Sequence, residues 1–120
     1  ALQRKQFGKP IAGHQLIQGK LAEMVTELEA ARYLVYRALW LLSGGTRCER
    51  EAAVAKSFAT EAAQRITSKA IQIHGAFGIT REFPVERHFR NARLLTIPDG
   101  TTQLNQLIIG RKLTGIAAFS

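Results

Sequence analysis

Residues 14–43, HQLIQGKLAEMVTELEAARYLVYRALWLLS, hold the pattern that decides the fold. Their apolar series is Ile17, Leu21, Met24, Leu28, Ala31, Val35, Ala38 and Leu42, with steps alternating between four and three. That alternation lays a continuous heptad stripe along one face of a helix. At ~1.5 Å per residue the segment makes a rod of roughly 45 Å. Glu23, Glu27 and Arg32 fall off the stripe and are expected to form a solvated flank. Gly44-Gly45 ends the helix, since glycine accepts the left-handed geometry found after a last helical turn.

Downstream, residues 48–74 repeat the pattern with smaller side chains: Ala55, Ala59, Ala62, Ile66, Ala70 and Ile73. Small residues let a neighbouring helix come close, and the short link at 44–47 makes the first two helices antiparallel. Gly75-Ala76-Phe77-Gly78 breaks the second helix. A short third helix is expected from Pro84, which suits a first turn, to about Leu94. Pro98-Asp99-Gly100-Thr101-Thr102 reads as a turn leading into a last helix over 103–118, carrying Leu104, Leu107, Ile108, Leu113 and Ile116. Strand alternation is nowhere sustained. The expectation is an all-α, four-helix up-down bundle with one short member, a single domain over 1–120.

Composition narrows the function classes. With 46% apolar and 22% charged residues the 120-residue chain is an ordinary globular sequence, not a disordered one. No apolar run approaches the ~18 residues of a membrane span. A lone Cys48 excludes an internal disulfide and leads to the expectation of an intracellular protein, cytoplasmic or, in a eukaryote, in the mitochondrial matrix. The net charge of +8 allows an anionic partner. The basic residues are scattered, however, with no run longer than the pairs Arg4-Lys5 and Arg111-Lys112, so a nucleic-acid-binding reading is set aside. Residues 1–7 are expected to be the tail of a helix that begins upstream. Because the last helix is apolar on more than one face, the bundle is read as part of something larger.

Few residues have the spacing of a reactive site. His14, His74 and His88 have no i, i+4 partner, which argues against a metal. Gln72 with Gly75-Ala76-Phe77-Gly78 admits close approach of a flat or anionic ligand, although spacing alone favours a plain helix end. Arg87, Arg90 and Arg93 lie on one face of the third helix, either as an anion site or as a salt-bridged surface. For Asp99, before Gly-Thr-Thr and a helix, spacing favours an N-cap; the other reading is a carboxylate held at a helix start as a general base.

Taken in order, these segments resemble the C-terminal helical domain of the acyl-CoA dehydrogenase family over essentially the whole chain. The resemblance rests on Arg4-Lys5-Gln6-Phe7-Gly8-Lys9-Pro10, His14-Gln15, Leu21-Ala22-Glu23-Met24, Ala55-Lys56, and Gln72-Ile73-His74-Gly75-Ala76-Phe77-Gly78. It continues in Pro84-Val85-Glu86-Arg87, Arg90-Asn91-Ala92-Arg93 and Asp99-Gly100-Thr101-Thr102-Gln103. The opening and the closing residues 110–119 look most like the glutaryl-CoA dehydrogenase branch.

The resemblance implies a flavoenzyme whose N-terminal helical domain and middle β-barrel are absent from this chain, forming a homodimer or homotetramer. It implies FAD as cofactor, an acyl-CoA or acyl-carrier-protein thioester as substrate, and an electron-acceptor protein as partner. By position, Arg4, Gln6 and Phe7, with His14 and Gln15 nearby, would meet the partner subunit's FAD. Gln72, Gly75 and Ala76 would reach its diphosphate or adenosine half, while Thr101 and Gln103 would contact the subunit's own FAD. At the position of Asp99 the family's carboxylate removes the α-proton of the thioester, with Gly100 beside the substrate.

Three departures stand out. The family base is usually Glu, the residue before it is usually Tyr rather than Pro98, and its Gly-Gly pair is Gly75-Ala76 here. They bear on the substrate more than on the flavin. A family-derived domain without catalysis, serving oligomerisation or partner binding, is the alternative reading.

Overall fold

A computed structural model describes residues 1–118, so Phe119 of the closing resemblance lies outside the described residues. Four helices account for most of the fold: α1 (Gln15–Ser43), α2 (Glu49–His74), α3 (Val85–Leu95) and α4 (Thr102–Thr114). The all-α expectation therefore holds, with α3 as the short member. Gly45, at φ 73°, takes the left-handed conformation expected at the end of α1.

The first residues are not helical. Lys5–Gln6 (β1) and Lys9–Pro10 (β2) pair antiparallel, Lys5 opposite Pro10 and Gln6 opposite Lys9. The two turn residues, Phe7 and Gly8, have φ of 52° and 79°. Positive φ at both central positions is what a two-residue hairpin requires, and Gly8 supplies it without strain. At the other end, α4 stops at Thr114 rather than near Ala118, because Gly115 adopts φ 74° and closes the helix from its own N–H to the Arg111 carbonyl.

The hub of the fold is α2. It packs against α1 on one side and against α3 and α4 on others, in a molecule of 59 × 24 × 24 Å. Ala53, Ala55 and Ala62 of α2 are buried, along with Ala31 of α1 and Val85 and Ala92 of α3. Ala59, Ile66, Ala70 and Ile73 complete the expected α2 stripe half-buried. Small side chains at the hub let three helices share it. Ion pairs fix the antiparallel register of α1 and α2, with Arg37 near Glu51 at one end and Glu23 near Lys69 at the other.

On α1, the side facing α2 is not quite the stripe anticipated. Ile17, Met24, Ala31 and Ala38 turn inward as expected, but they are joined by Glu27, Leu34 and Leu41. Leu21, Leu28, Val35 and Leu42 lie on the shoulder, all more than a third exposed. The helix carries two adjoining heptad seams, and the chain provides a partner for one. Glu27, expected on a solvated flank, instead accepts from Arg65 at 3.1 Å and faces Lys69 at 3.5 Å. The free side of α1 also shows Val25, Tyr36, Leu39 and a 73%-exposed Trp40.

Candidate functional site

The residues singled out in the sequence fall into two groups at different heights along α2. One surrounds the turn between α3 and α4. Thr96, buried, closes it by accepting the Thr102 N–H at 3.2 Å. Its hydroxyl donates to the Arg93 carbonyl at 3.0 Å and accepts from the Arg93 guanidinium at 2.9 Å. Within the turn Asp99 and Gly100 have φ of 54° and 95°. Asp is among the few non-glycine residues that tolerate this region.

Asp99 is not the helix cap. The cap is Thr101, whose hydroxyl accepts the Leu104 N–H at 3.2 Å, two residues later than the spacing favoured. Four successive carbonyls of the turn are held by two side chains. Lys56 of α2 donates to those of Pro98 and Asp99, the latter at 2.8 Å. Buried Asn105 of α4 donates to those of Gly100 and Thr101, both at 2.9 Å. Thr102 adds a hydrogen bond of 2.7 Å to Glu61 of α2. Among the described residues no hydrogen bond or ion pair engages the Asp99 carboxylate, and the residue is exposed. Gln103 is exposed on the first turn of α4.

The second group gathers where the hairpin meets the C-terminal end of α2. The His14 Nε2 lies 3.1 Å from the Gln6 carbonyl, and its ring meets Phe7 edge to face at 6.1 Å. Phe7 itself is 93% exposed. Gly75 is at φ 65°, and a Cβ there would lie 3.8 Å from the Arg4 guanidinium. A groove of about 600 Å³ runs past Arg4, Gln6, His74, Phe77 and Phe83, with a second of about 700 Å³ past Gln6, Phe7, His14 and Gln15. Gln72 and Ala76 are exposed on either side of Gly75. Ala76 has no positive φ, so its Cβ imposes no backbone strain.

Lys56 precedes Gly75 by 19 residues, so the two groups are separated by about 28 Å along α2. The structure unites Arg4, Gln6, Phe7, His14, Gln15 and Gly75, and separately Asp99, Gly100, Thr101 and Gln103. It does not merge the two. Sequence reading overlooked Asn105, Glu61 and Phe83, and it used Lys56 only as a point of resemblance. A buried asparagine or a reaching lysine has no local signature when its partner is some forty residues away. Arg90 and Arg93 prove internally engaged, Arg90 with Glu86 at 2.8 Å and Arg93 with Thr96. The Arg90 guanidinium holds the Glu86 carboxyl below its ordinary range. No described helix is long and apolar enough to cross a membrane.

The helical hub thus carries a carboxylate turn at one height and a cationic, aromatic, glycine-bearing end at another. The family description "Acyl-CoA dehydrogenase, C-terminal domain" matches residues 1–114, and the chain belongs to that family. An acyl-CoA dehydrogenase of Bacillus subtilis (strain 168) is 47% identical over 96% of this chain and 30% of its own length. A glutaryl-CoA dehydrogenase of Mycobacterium smegmatis superposes with a TM-score of 0.95 at 36% identity, covering all of this chain and 31% of that one. The FAD complex of PigA superposes at 0.90 with 34% identity, covering 94% and 30%. The chain thus spans about a third of the length of the relatives it matches.

Proposed function

We propose that this chain is the C-terminal domain of a FAD-dependent acyl-CoA dehydrogenase, in which Asp99 removes the α-proton of an acyl thioester. The observation that carries the reading is the division of labour in the turn. Thr101 caps α4 and the turn's carbonyls are held by Lys56 and Asn105, so the Asp99 carboxylate is left with no structural task. An anionic, exposed carboxylate on a braced backbone is what a general base needs: it keeps its lone pairs for the substrate and its position without them. Gly100 beside it leaves room for the thioester.

The residues present fit FAD. Among the described residues Arg4 forms no ion pair and lies beside the open backbone of Gly75, an arrangement suited to a diphosphate. Phe7 offers a bare ring for a flat partner, with Gln6, His14 and Gln15 around it and Gln72 and Ala76 beyond Gly75. Thr101 and Gln103 stand at the N-terminus of α4, where helix N–H groups favour a polar ligand. Bound, the flavin supplies the two-electron acceptor for α,β-dehydrogenation. The distance between the two groups supports their serving two different flavins in a homodimer or homotetramer.

On this reading the rest of the subunit, an N-terminal helical domain and a β-barrel, completes each site, and an electron-acceptor protein reoxidises it in the cytoplasm or mitochondrial matrix. Asp is one methylene shorter than Glu, and Pro98 clears the space of a tyrosine ring. Both favour a branched, cyclic or carrier-tethered acyl group over a plain straight chain. The test is anaerobic bleaching of the flavin by acyl thioesters in the full-length enzyme. Asp99→Asn is expected to bind FAD normally and to bleach ~10²-fold or more slowly. Equal rates would return Asp99 to a purely structural role.

A further inference from the structure

Resting on the reading of Asp99 as the base, we propose that Lys56 is its positioning residue: a cation that holds the base-bearing turn from behind without pairing with the carboxylate. Two carbonyl oxygens, of Pro98 and Asp99, converge on the Lys56 ammonium. Two such oxygens aimed at one point repel each other, and a cationic donor between them offsets that repulsion more strongly than a neutral one. The two carbonyls stand on either side of the Cα of Asp99, a left-handed residue at φ 54°. Asp tolerates that conformation better than most non-glycine residues, and surroundings that fix the flanking carbonyls hold it there. Lys56 acts on the Asp99 side of the turn and Asn105 on the Gly100 side, so the Cα that carries the base is braced from two helices.

The origin of the brace is itself rigid. Lys56 follows buried Ala55 on α2, the helix against which α1, α3 and α4 all pack. Its ammonium lies farther than ion-pair distance from any described carboxylate, Asp99 included, since no salt bridge involves it. Charge on Lys56 is therefore spent on the main chain, while the carboxylate stays free for proton transfer. That geometry matters most for a base one methylene shorter than usual, whose reach leaves little tolerance for a shifted backbone.

The experiment uses the full-length FAD enzyme in four forms: wild type, Lys56→Met, Lys56→Arg and Asp99→Asn. The probe is whichever of butyryl-, isovaleryl-, cyclohexanecarbonyl- or glutaryl-CoA bleaches the wild-type flavin fastest. Lys56→Met keeps the aliphatic stem and removes the donors. It is expected to retain FAD and a KM within about twofold, to lose kcat by ~10–10²-fold, and to show a larger isotope effect with α-deuterated substrate. Lys56→Arg, with charge and donors kept, is expected to fall between Lys56→Met and wild type. Wild-type kcat and isotope effect in Lys56→Met would overturn the proposal. So would a loss of kcat that only tracks lost FAD or melting temperature. If Lys56→Met does not fold, Lys56→Arg decides: lowered kcat at full FAD content supports the proposal, and wild-type kcat overturns it. Asp99→Asn separates the two claims. If it turns over normally, the base reading fails and the present proposal with it; if it is inactive while Lys56→Met is normal, only the role of Lys56 fails.

Discussion

Lys112, in the last turn of α4, donates to Glu49, in the first turn of α2, at 2.7 Å. The pair ties the end of the chain's last helix to the start of its hub, and Arg47 reaches the same carboxylate. Together the hydrogen bonds from Lys112 and Arg47 pull the Glu49 carboxyl down to about 2 from its ordinary 4.5. A lowered folded-state value means that Glu49 contributes stability above pH 4.5, and that this contribution fades as pH falls toward 2. Glu49→Gln is thus expected to melt below wild type at neutral pH, with the gap closing across that window. Melting temperature against pH for the two proteins checks it; a constant gap would show that charge plays no part.

Glycine substitutions should have opposite signs at two positions. A Cβ on Gly78 would lie 2.6 Å from the Ile71 carbonyl oxygen and 3.0 Å from its Cα, and backbone atoms within α2 cannot yield. Gly78→Ala is expected to destabilise by roughly 2 kcal/mol or more. Gly19, inside α1, would meet nothing within 4 Å. Gly19→Ala is expected to stabilise by about 0.5–1 kcal/mol, from helix propensity alone. Urea titrations of both variants read the two values directly.

Thr101 and Asp99 should separate stability from activity. Removing the cap hydroxyl in Thr101→Ala is expected to cost about 1 kcal/mol. Asp99→Asn should leave unfolding nearly unchanged, because Asn also accepts a positive φ and the carboxylate has no partner to lose. Denaturation of the pair measures this independently of any assay for turnover, and a large loss in Asp99→Asn would mean that the side chain is structural after all.

The second seam of α1 predicts association. Leu21, Val25, Leu28, Val35, Leu39 and Leu42 form an exposed ridge beside the one that α2 covers. Light scattering of the 120-residue chain is expected to give a species heavier than its 13.3 kDa. Leu28→Glu with Val35→Glu should shift it toward monomer, whereas a clean monomer before substitution would refute the prediction.

How much of this was legible beforehand depended on the range of the interaction. The heptad of α1, the alanine stripe of α2, the glycine stops and the proline start of α3 are local or periodic signals. They determined an all-α chain of four helices with nearly correct ends, and the ordered motifs pointed to the family. Choosing between Ile17-Leu21-Met24 and Ile17-Met24-Glu27 as the buried seam was beyond them. Leucines sit on both shoulders of α1, and only the place of α2, with Arg65 and Lys69 waiting for Glu27, selects one.

The hairpin at 5–10 was hard to read, because it is too short to show alternation and, of the two turn residues at positive φ, only Gly8 favours that conformation by type. Asp99 and Thr101 are both good caps by type. Which of them caps depends on where Lys56 and Asn105 pull the intervening carbonyls. Sequence by itself therefore determined the helices, their order and the family, because those rest on contacts within a few residues or on a repeat. Only the tertiary structure decided which face is covered, which hydroxyl caps α4 and which carboxylate is left free, because each of those is set by a side chain arriving from another helix.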